Sequence, residues 1–313
     1  DAAVGLSPFL YDSRLMLTRF SKKSQSIFLL KGNNTGKDLS KDLMTQKYAT
    51  TSRAFLYTPG NTDSDLSNSF SIRRSTLPIP EVYYFDNNSI CLSANHLAVK
   101  GKESRLSFNL NALAQQWDED EYTVQTIHLT DSDPLIIKEE ESRNDRSLYL
   151  NGQVNIEKNT ERKYIYNTTA LSGQIREHIS AVSNHADDRY QLPSLKISNT
   201  FEGIIRSGSN AINIKSDTKF VYGDHSLILN GADFISPVRE RVESSRIESD
   251  NSVHFNKTFG NLSYQFAGDL NIEWQMTLAD IDKADFKGIS DDMIDNRFTG
   301  VSISPGISNR ILW

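Results

Sequence analysis

The stretch Asn261–Leu278, NLSYQFAGDLNIEWQMTL, constrains the chain most. From Leu262 every even position is apolar or glycine: Leu262, Tyr264, Phe266, Gly268, Leu270, Ile272, Trp274, Met276 and Leu278. The odd positions Ser263, Gln265, Asp269, Asn271, Glu273, Gln275 and Thr277 are polar, and only Ala267 is not. A period of two belongs to a strand, whose successive side chains point to opposite faces. A helix would scatter these apolar residues all round its surface.

Length sharpens the point. Seventeen residues at about 3.3 Å each would run roughly 55 Å. Ordinary strands peak near 5–6 residues, whereas a transmembrane strand needs about 9–11. A strand of this length can cross an outer membrane and project beyond it. A long strand in a soluble sheet or solenoid is the competing explanation.

Composition bears on that choice. Hydrophobic residues make up 37% of the 313, mean hydropathy is −0.48, and no run approaches 18 apolar residues, which excludes a helical membrane protein. A β-barrel passes the same test, because its strands are apolar only at alternate positions. Net charge is −6, which argues against nucleic acid as a partner. The single cysteine, Cys91, forms no intrachain disulfide and falls in a strand-like run, where a packed small side chain is expected.

Alternation recurs along the chain as hairpins. Arg14–Phe20 and Gln25–Leu30 flank SKKS; Ser89–Val99 and Arg105–Gln116 flank KGKES. Arg146–Glu157 and Lys163–Gly173 flank KNTER; Leu195–Arg206 and Ala211–Tyr222 flank SGSN. Ser252–Phe259 and the long strand flank Gly260–Asn261, and a last extended run covers Phe298–Ile303. Between hairpins lie longer polar connections: Gly32 to about Asn88, Trp117–Asp145, Ile175–Arg189, Ile235–Asn251 and Ala279–Arg297. Tyr122–Leu129 reads as a strand reaching out of the sheet. Turns therefore alternate short and long, as in outer-membrane barrels, whose periplasmic turns are short and extracellular loops long. A soluble sandwich usually has short loops at both ends.

The polar faces are mainly Asn, Gln, Ser and Thr, which suits a wet lumen. Closure of a barrel would also remove the edges that such long strands otherwise expose. Tyr149, Tyr164, Tyr166, Tyr222, Tyr264 and Trp274 are candidates for interfacial aromatic girdles. The predicted fold is all-β: an antiparallel up-and-down transmembrane β-barrel of about a dozen strands, or the N-terminal half of a larger one. It forms a single region over residues 1–313, with long outer loops and short periplasmic turns.

Specific segments carry a family resemblance. VGLSPFLYDSRLMLTRFSKKSQSIFLLKGNNTG (Val4–Gly36) resembles the start of the barrel in Bacteroidota-type TonB-dependent outer-membrane receptors, in the branch with a carboxypeptidase-like regulatory domain. Arg146–Gly173 and Arg189–Gly203 are similar to later hairpins of that family. The resemblance implies a barrel of about 22 strands around a plug, and no plug-like segment is seen in these residues. The chain thus looks like the first half of such a barrel, with Trp313 falling mid-barrel. Implied partners are outer-membrane lipid, a small-molecule or glycan ligand, and the TonB complex through a plug outside this chain. The implied location is the outer membrane of a Gram-negative bacterium, and the implied activity is uptake of a scarce nutrient, a metal chelate or an oligosaccharide. A surface β-rich module binding glycan or protein through its loops is the alternative.

Chemical motifs are sparse. No nucleophile motif, phosphate loop, dinucleotide fingerprint or HExxH occurs, so no catalytic residues and no cofactor are expected. His178, His185, Asp187 and Asp188 lie close in sequence, but their spacing fits no strong metal pattern and a solvated loop is expected. Asp63 and Asp65 lack the glycine and distal glutamate of a calcium loop. Residues 118–145 hold ten acids against Lys138 and Arg143, and a solvating charge run is expected there. No metal site is predicted, and the ligand-binding residues are unknown at this level.

Overall fold

In the computed structural model the described residues are 2–6, 9–37, 39, 86–101, 103–127, 134–182, 188–230, 237–259, 262–282 and 294–311. Thirteen strands form one antiparallel sheet, and no helix occurs among the described residues. They are β1 (Ala2–Leu6), β2 (Phe9–Phe20), β3 (Ser24–Asn33), β4 (Asp86–Lys100), β5 (Ser104–Ile127), β6 (Leu135–Asn159) and β7 (Lys163–Val182). There follow β8 (Asp188–Gln191), β9 (Ser194–Ser207), β10 (Asn210–Leu229), β11 (Val238–Phe259), β12 (Leu262–Asp282) and β13 (Ile294–Ile311). Neighbours in sequence are neighbours in space, the up-and-down order expected, with β1 and β13 at the two ends of the path. About a dozen strands were expected, and thirteen lie among the described residues.

β8 and β9 behave as one interrupted strand. β9 fills the gap between β7 and β10 over Ser194–Ser207, and β8 continues it over Asp188–Gln191. Pro193 has no N–H to give the ladder, and it breaks the strand there. Its carbonyl still accepts from Asp224 N at 3.2 Å, and Leu192 N donates to Arg176 O at 2.8 Å.

The short turns share one rim. Val99 N bonds Lys23 O, Asn159 N bonds Glu103 O, Arg206 N bonds Arg162 O and Thr258 N bonds Ser209 O, so each turn is tied to the next hairpin. Gly101 and Gly208 sit there at φ of 71° and 59°, a left-handed backbone that glycine adopts without the Cβ penalty.

At the other rim the strands outrun their apolar pattern. Residues 117–145, 175–189, 235–251 and 279–297 read as loops, yet β5, β6, β7 and β11 extend far into the first three and β12 reaches Asp282 in the last. The β5–β6 pairing runs unbroken from Ser104↔Lys158 to Ile127↔Leu135. Only the stretch Tyr122–Ile127 of this extension was anticipated as strand. Ladder bonds between backbones continue where side-chain alternation has stopped, so in β5, β6, β7 and β11 the sequence pattern marks only the lower part of the strand, whereas in β12 it runs to Leu278.

The two faces of the sheet differ in a way opposite to a soluble protein. The inner face, defined by the buried side chains, carries Asn33, Asn87, Ser89, Ser93, Asn111, Gln115, Asp145, Asn155, His178, His225 and Ser244, all buried. Cys91, 0% exposed, packs with Leu39, Leu113 and partly buried Tyr149, as expected of a small core residue. The outer face carries exposed Leu15, Leu17, Ile90, Leu106, Phe108, Leu148, Leu150, Ile156, Leu171, Ile175, Ile197 and Phe266. Soluble domains bury such side chains because each is worth about 1.5–3 kcal/mol out of water.

Strand parity also corrects the aromatic girdle. Tyr149, Tyr164 and Tyr166 fall on the inner face, because Tyr149 pairs with inner Leu113, and Tyr164 and Tyr166 share the parity of His178. Tyr222, Tyr264 and Trp274 fall on the outer face, with Phe220, Phe266 and Ile272. The turn at Gly260–Asn261 lies outside the described residues.

Candidate functional site

Register across four strands builds a site on the inner face. Trp117 of β5 faces Asp145 of β6, Asp145 faces His178 of β7, and His178 faces Tyr190 of β8. Directly opposed residues stand about 4.5–5.5 Å apart at Cβ, so register alone brings these four into contact. The His178 ring lies 6.1 Å from Trp117 and 5.8 Å from Tyr190, tilted to both. Trp117 is 0% exposed and Asp145 1%.

Asp145 is held by Arg176, whose Nε donates to Oδ2 at 2.6 Å. A buried carboxylate needs such a partner, since desolvating an unpaired charge costs several kcal/mol. His178 Nδ1 lies 3.6 Å from the same Oδ2 and makes no hydrogen bond.

One row further out, Arg143 of β6 serves three carboxylates. Its Nε donates to Glu141 Oε1 at 2.7 Å, and its Nη1 lies 3.4 Å from Glu119 and 3.2 Å from Glu121. Ser180 Oγ donates to Glu141 at 2.9 Å. The hydrogen bond from Arg143 holds Glu141 below the usual carboxylate range, and the same bond raises the guanidinium. Glu119, Glu121, Glu141 and Asp145 against Arg143 and Arg176 leave two negative charges in excess. Burial raises the Tyr190 hydroxyl, which stays protonated as a donor.

The arrangement has aromatic faces, fixed carboxylates and two guanidinium groups. That equips it to hold a polar ligand by stacking and charge-assisted hydrogen bonds. His225 lies further along the sheet, 2% exposed and folded over Gly223, and burial lowers its pKa. It is a neutral group at neutral pH.

These placements revise the sequence-level expectations. His178 is not in a solvated loop but in β7, buried beside Asp145. His185 and Asp187 lie outside the described residues, as do Asp63 and Asp65. Asp188 begins β8, where its Oδ1 accepts from Asn230 N at 3.0 Å. In the acid-rich 118–145 segment, residues 118–127 and 135–145 are paired strands that point Glu119, Glu121 and Glu141 at Arg143, while Asp118, Asp120, Glu139 and Glu140 stay exposed as a solvating run would. No cluster of three or more metal-type ligands occurs among the described residues. Parity could have flagged Trp117, Glu119 and Glu121, which continue the odd series of Asn109, Asn111 and Gln115. Their meeting with His178 and Tyr190 depends on register, which the local sequence does not encode.

The outer face has its own boundary. Gln116, Arg146, Glu177 and Gln191 are successive cross-strand partners just above the apolar band. Glu177 is bonded by Arg189 and Gln191, and the Arg189 bond lowers its pKa. Nearby, Arg241 grips Asp224 through two bonds of 2.8 and 2.7 Å. Within the band, one polar patch breaks the apolar surface. Asn199 Nδ2 donates to Thr169 Oγ1 at 2.8 Å, Asn167 and Asn199 exchange bonds of 3.3 and 3.4 Å, and Ser216 Oγ donates to Asn251 at 2.6 Å. Its polar atoms satisfy one another laterally.

No protein-family model matches the chain, and the search of curated proteins found no match. Among solved structures the chain is similar to the ferric-catecholate import receptor Fiu of E. coli K12, at 9% identity and a TM-score of 0.42. The alignment covers 96% of this chain and 45% of that one, so the chain spans less than half that receptor's length.

Proposed function

We propose that these residues form part of the wall of a bacterial outer-membrane barrel, the receptor of a nutrient-uptake system powered by TonB. The observation that carries the proposal is the inverted sheet: an exposed apolar outer face over a buried polar inner face. On β5 the outward residues Leu106, Phe108, Leu110, Ala112 and Ala114 span nine positions. That is about 30 Å along the strand, or roughly 23 Å at the usual barrel tilt, against an apolar band about 25 Å tall in outer-membrane barrels. The row of Arg146 and Glu177, in which Arg189 pairs with Glu177, then falls where lipid meets water.

In this reading the Trp117–Asp145–His178–Tyr190 row lies above the membrane midplane on the lumen side, where an incoming nutrient is captured. Its excess negative charge favours a neutral polyol or a ligand with cationic groups. The resemblance of Val4–Gly36 and the later hairpins supports the Bacteroidota-type branch. Coupling to TonB would act through a plug, and these residues contribute wall and loops.

The test is solubility and partition. The protein extracted from its host membrane should stay monodisperse only with detergent, and fractionate with outer-membrane markers. A species that remains monomeric in plain buffer would overturn the proposal and favour the surface-module alternative. The polar patch at Asn167, Asn199 and Asn251 favours that alternative.

A further inference from the structure

A groove of about 280 Å³ opens on the outer face near the short-turn rim. Its floor is Ala94, set between Phe28 and Leu110 in register, with Leu17 and Phe108 beside it. The small side chain among large ones makes the hollow. The next row toward the rim is polar: Arg19 faces Ser26, Ser26 faces His96, and His96 faces Phe108. Ser26 Oγ and His96 Nδ1 are 2.8 Å apart, which fixes the imidazole at the mouth of the groove. Arg19 has no carboxylate partner among the described residues and is exposed.

Beyond this row lie the turns SKKS and KGKES, joined by the bond of 2.8 Å from Val99 N to Lys23 O. Lys22, Lys23 and Lys100 therefore lie near Arg19 and His96 at one corner, where Glu103 is the acid within the two turns. An apolar slot that ends in a cationic corner is complementary to one class of molecule. We propose that this groove binds a single anionic phospholipid, one acyl chain along Leu17, Phe28, Ala94 and Phe108 and its phosphate between Arg19 and His96. The inference rests on the membrane reading above. Its consequence is that the periplasmic leaflet pins the β2–β5 corner through a specific lipid rather than through bulk solvation.

The experiment uses the full protein in nanodiscs and native mass spectrometry after gentle release. Discs contain phosphatidylglycerol in one series and phosphatidylcholine in the other. One tightly held phosphatidylglycerol is expected per protein, with phosphatidylcholine held about tenfold less or weaker. Arg19→Gln should lower retention about tenfold by removing a charge-assisted bond, and Ala94→Leu should do so by filling the floor without touching charge. Lys158→Gln, at the next turn along the rim, should leave retention unchanged. Equal retention of both lipids, or no loss in both Arg19→Gln and Ala94→Leu, overturns the site. Insertion into discs with no retained lipid also overturns it while leaving the membrane reading intact. Failure to insert, with stability in plain buffer, overturns both.

Discussion

Leu150 on β6 offers a sharp test of what the outer face meets. It is 43% exposed and lies four residues below Arg146, the charged boundary position that faces Glu177. Four residues at about 3.3 Å put it roughly 13 Å down the strand, or about 10 Å in depth at barrel tilt. A guanidinium there would sit near the midplane of a lipid band. Leu150→Arg should then cost about 2–4 kcal/mol, a factor of roughly 30 to 1000 in the folding equilibrium. The same change on a water-facing strand is worth within about ±0.5 kcal/mol. Ile156, 48% exposed and nearer the rim, has similar exposure but a different depth. Ile156→Arg should cost about 0–1 kcal/mol. The assay is reversible urea unfolding of bilayer-inserted protein, followed by tryptophan fluorescence and by migration of the folded band on unheated gels. Exposure is nearly equal at the two sites, so only depth in a membrane predicts a difference. Equal, small effects at both positions would refute the reasoning.

Other expectations concern the inner site and the patch. Asp145→Ala leaves Arg176 half-buried without its partner, and a loss of about 3 kcal/mol is expected in the same urea assay; Asp145→Leu with Arg176→Met should recover most of it. Because Arg143 lowers the Glu141 pKa, that carboxylate stabilises the fold above about 4.5 and the contribution fades as pH falls through the lower folded value. His225 acts in the same direction by another route: burial lowers its pKa, so the unfolded chain binds the extra proton and stability rises as pH climbs toward 6.5. A pH series of unfolding midpoints should therefore flatten below 4.5 in Glu141→Gln and just below 6.5 in His225→Asn. For the outer patch, Asn199→Leu alone should destabilise by about 1–2 kcal/mol by stranding Asn167 and Thr169. Asn167→Leu, Thr169→Val and Asn199→Leu together should be neutral or stabilising in bilayers, and a larger loss than the single change would count against a lipid-facing patch.

Strands were legible where their two faces differ in polarity. Leu106 to Ala114 alternates with Ser107 to Gln115 because one side is apolar and the other polar, and the hairpin turns follow from Gly101 and Gly208 at the short rim. The upper parts of β5, β6, β7 and β11 were not legible. Asp118, Glu119, Asp120 and Glu121 run as four acids in sequence, and a charge run carries no period. Yet β5 continues through them because β6 supplies ladder partners residue for residue. The three inner tyrosines were misplaced for a related reason. Residue type suggests an interface, whereas parity within the register decides the face.

By itself, then, the sequence determined the all-β class, the positions of the short turns and the apolar outer stripe, since each is written in neighbours two to four residues apart. Tertiary structure alone decided how far the strands run beyond that stripe. It also decided that Trp117, Asp145, His178 and Tyr190 stand in one row. These residues are separated by hairpin lengths along the chain, and only the cumulative register of four strands sets them side by side. A shift of one residue in any of those pairings would send the partner to the opposite face and dissolve the site.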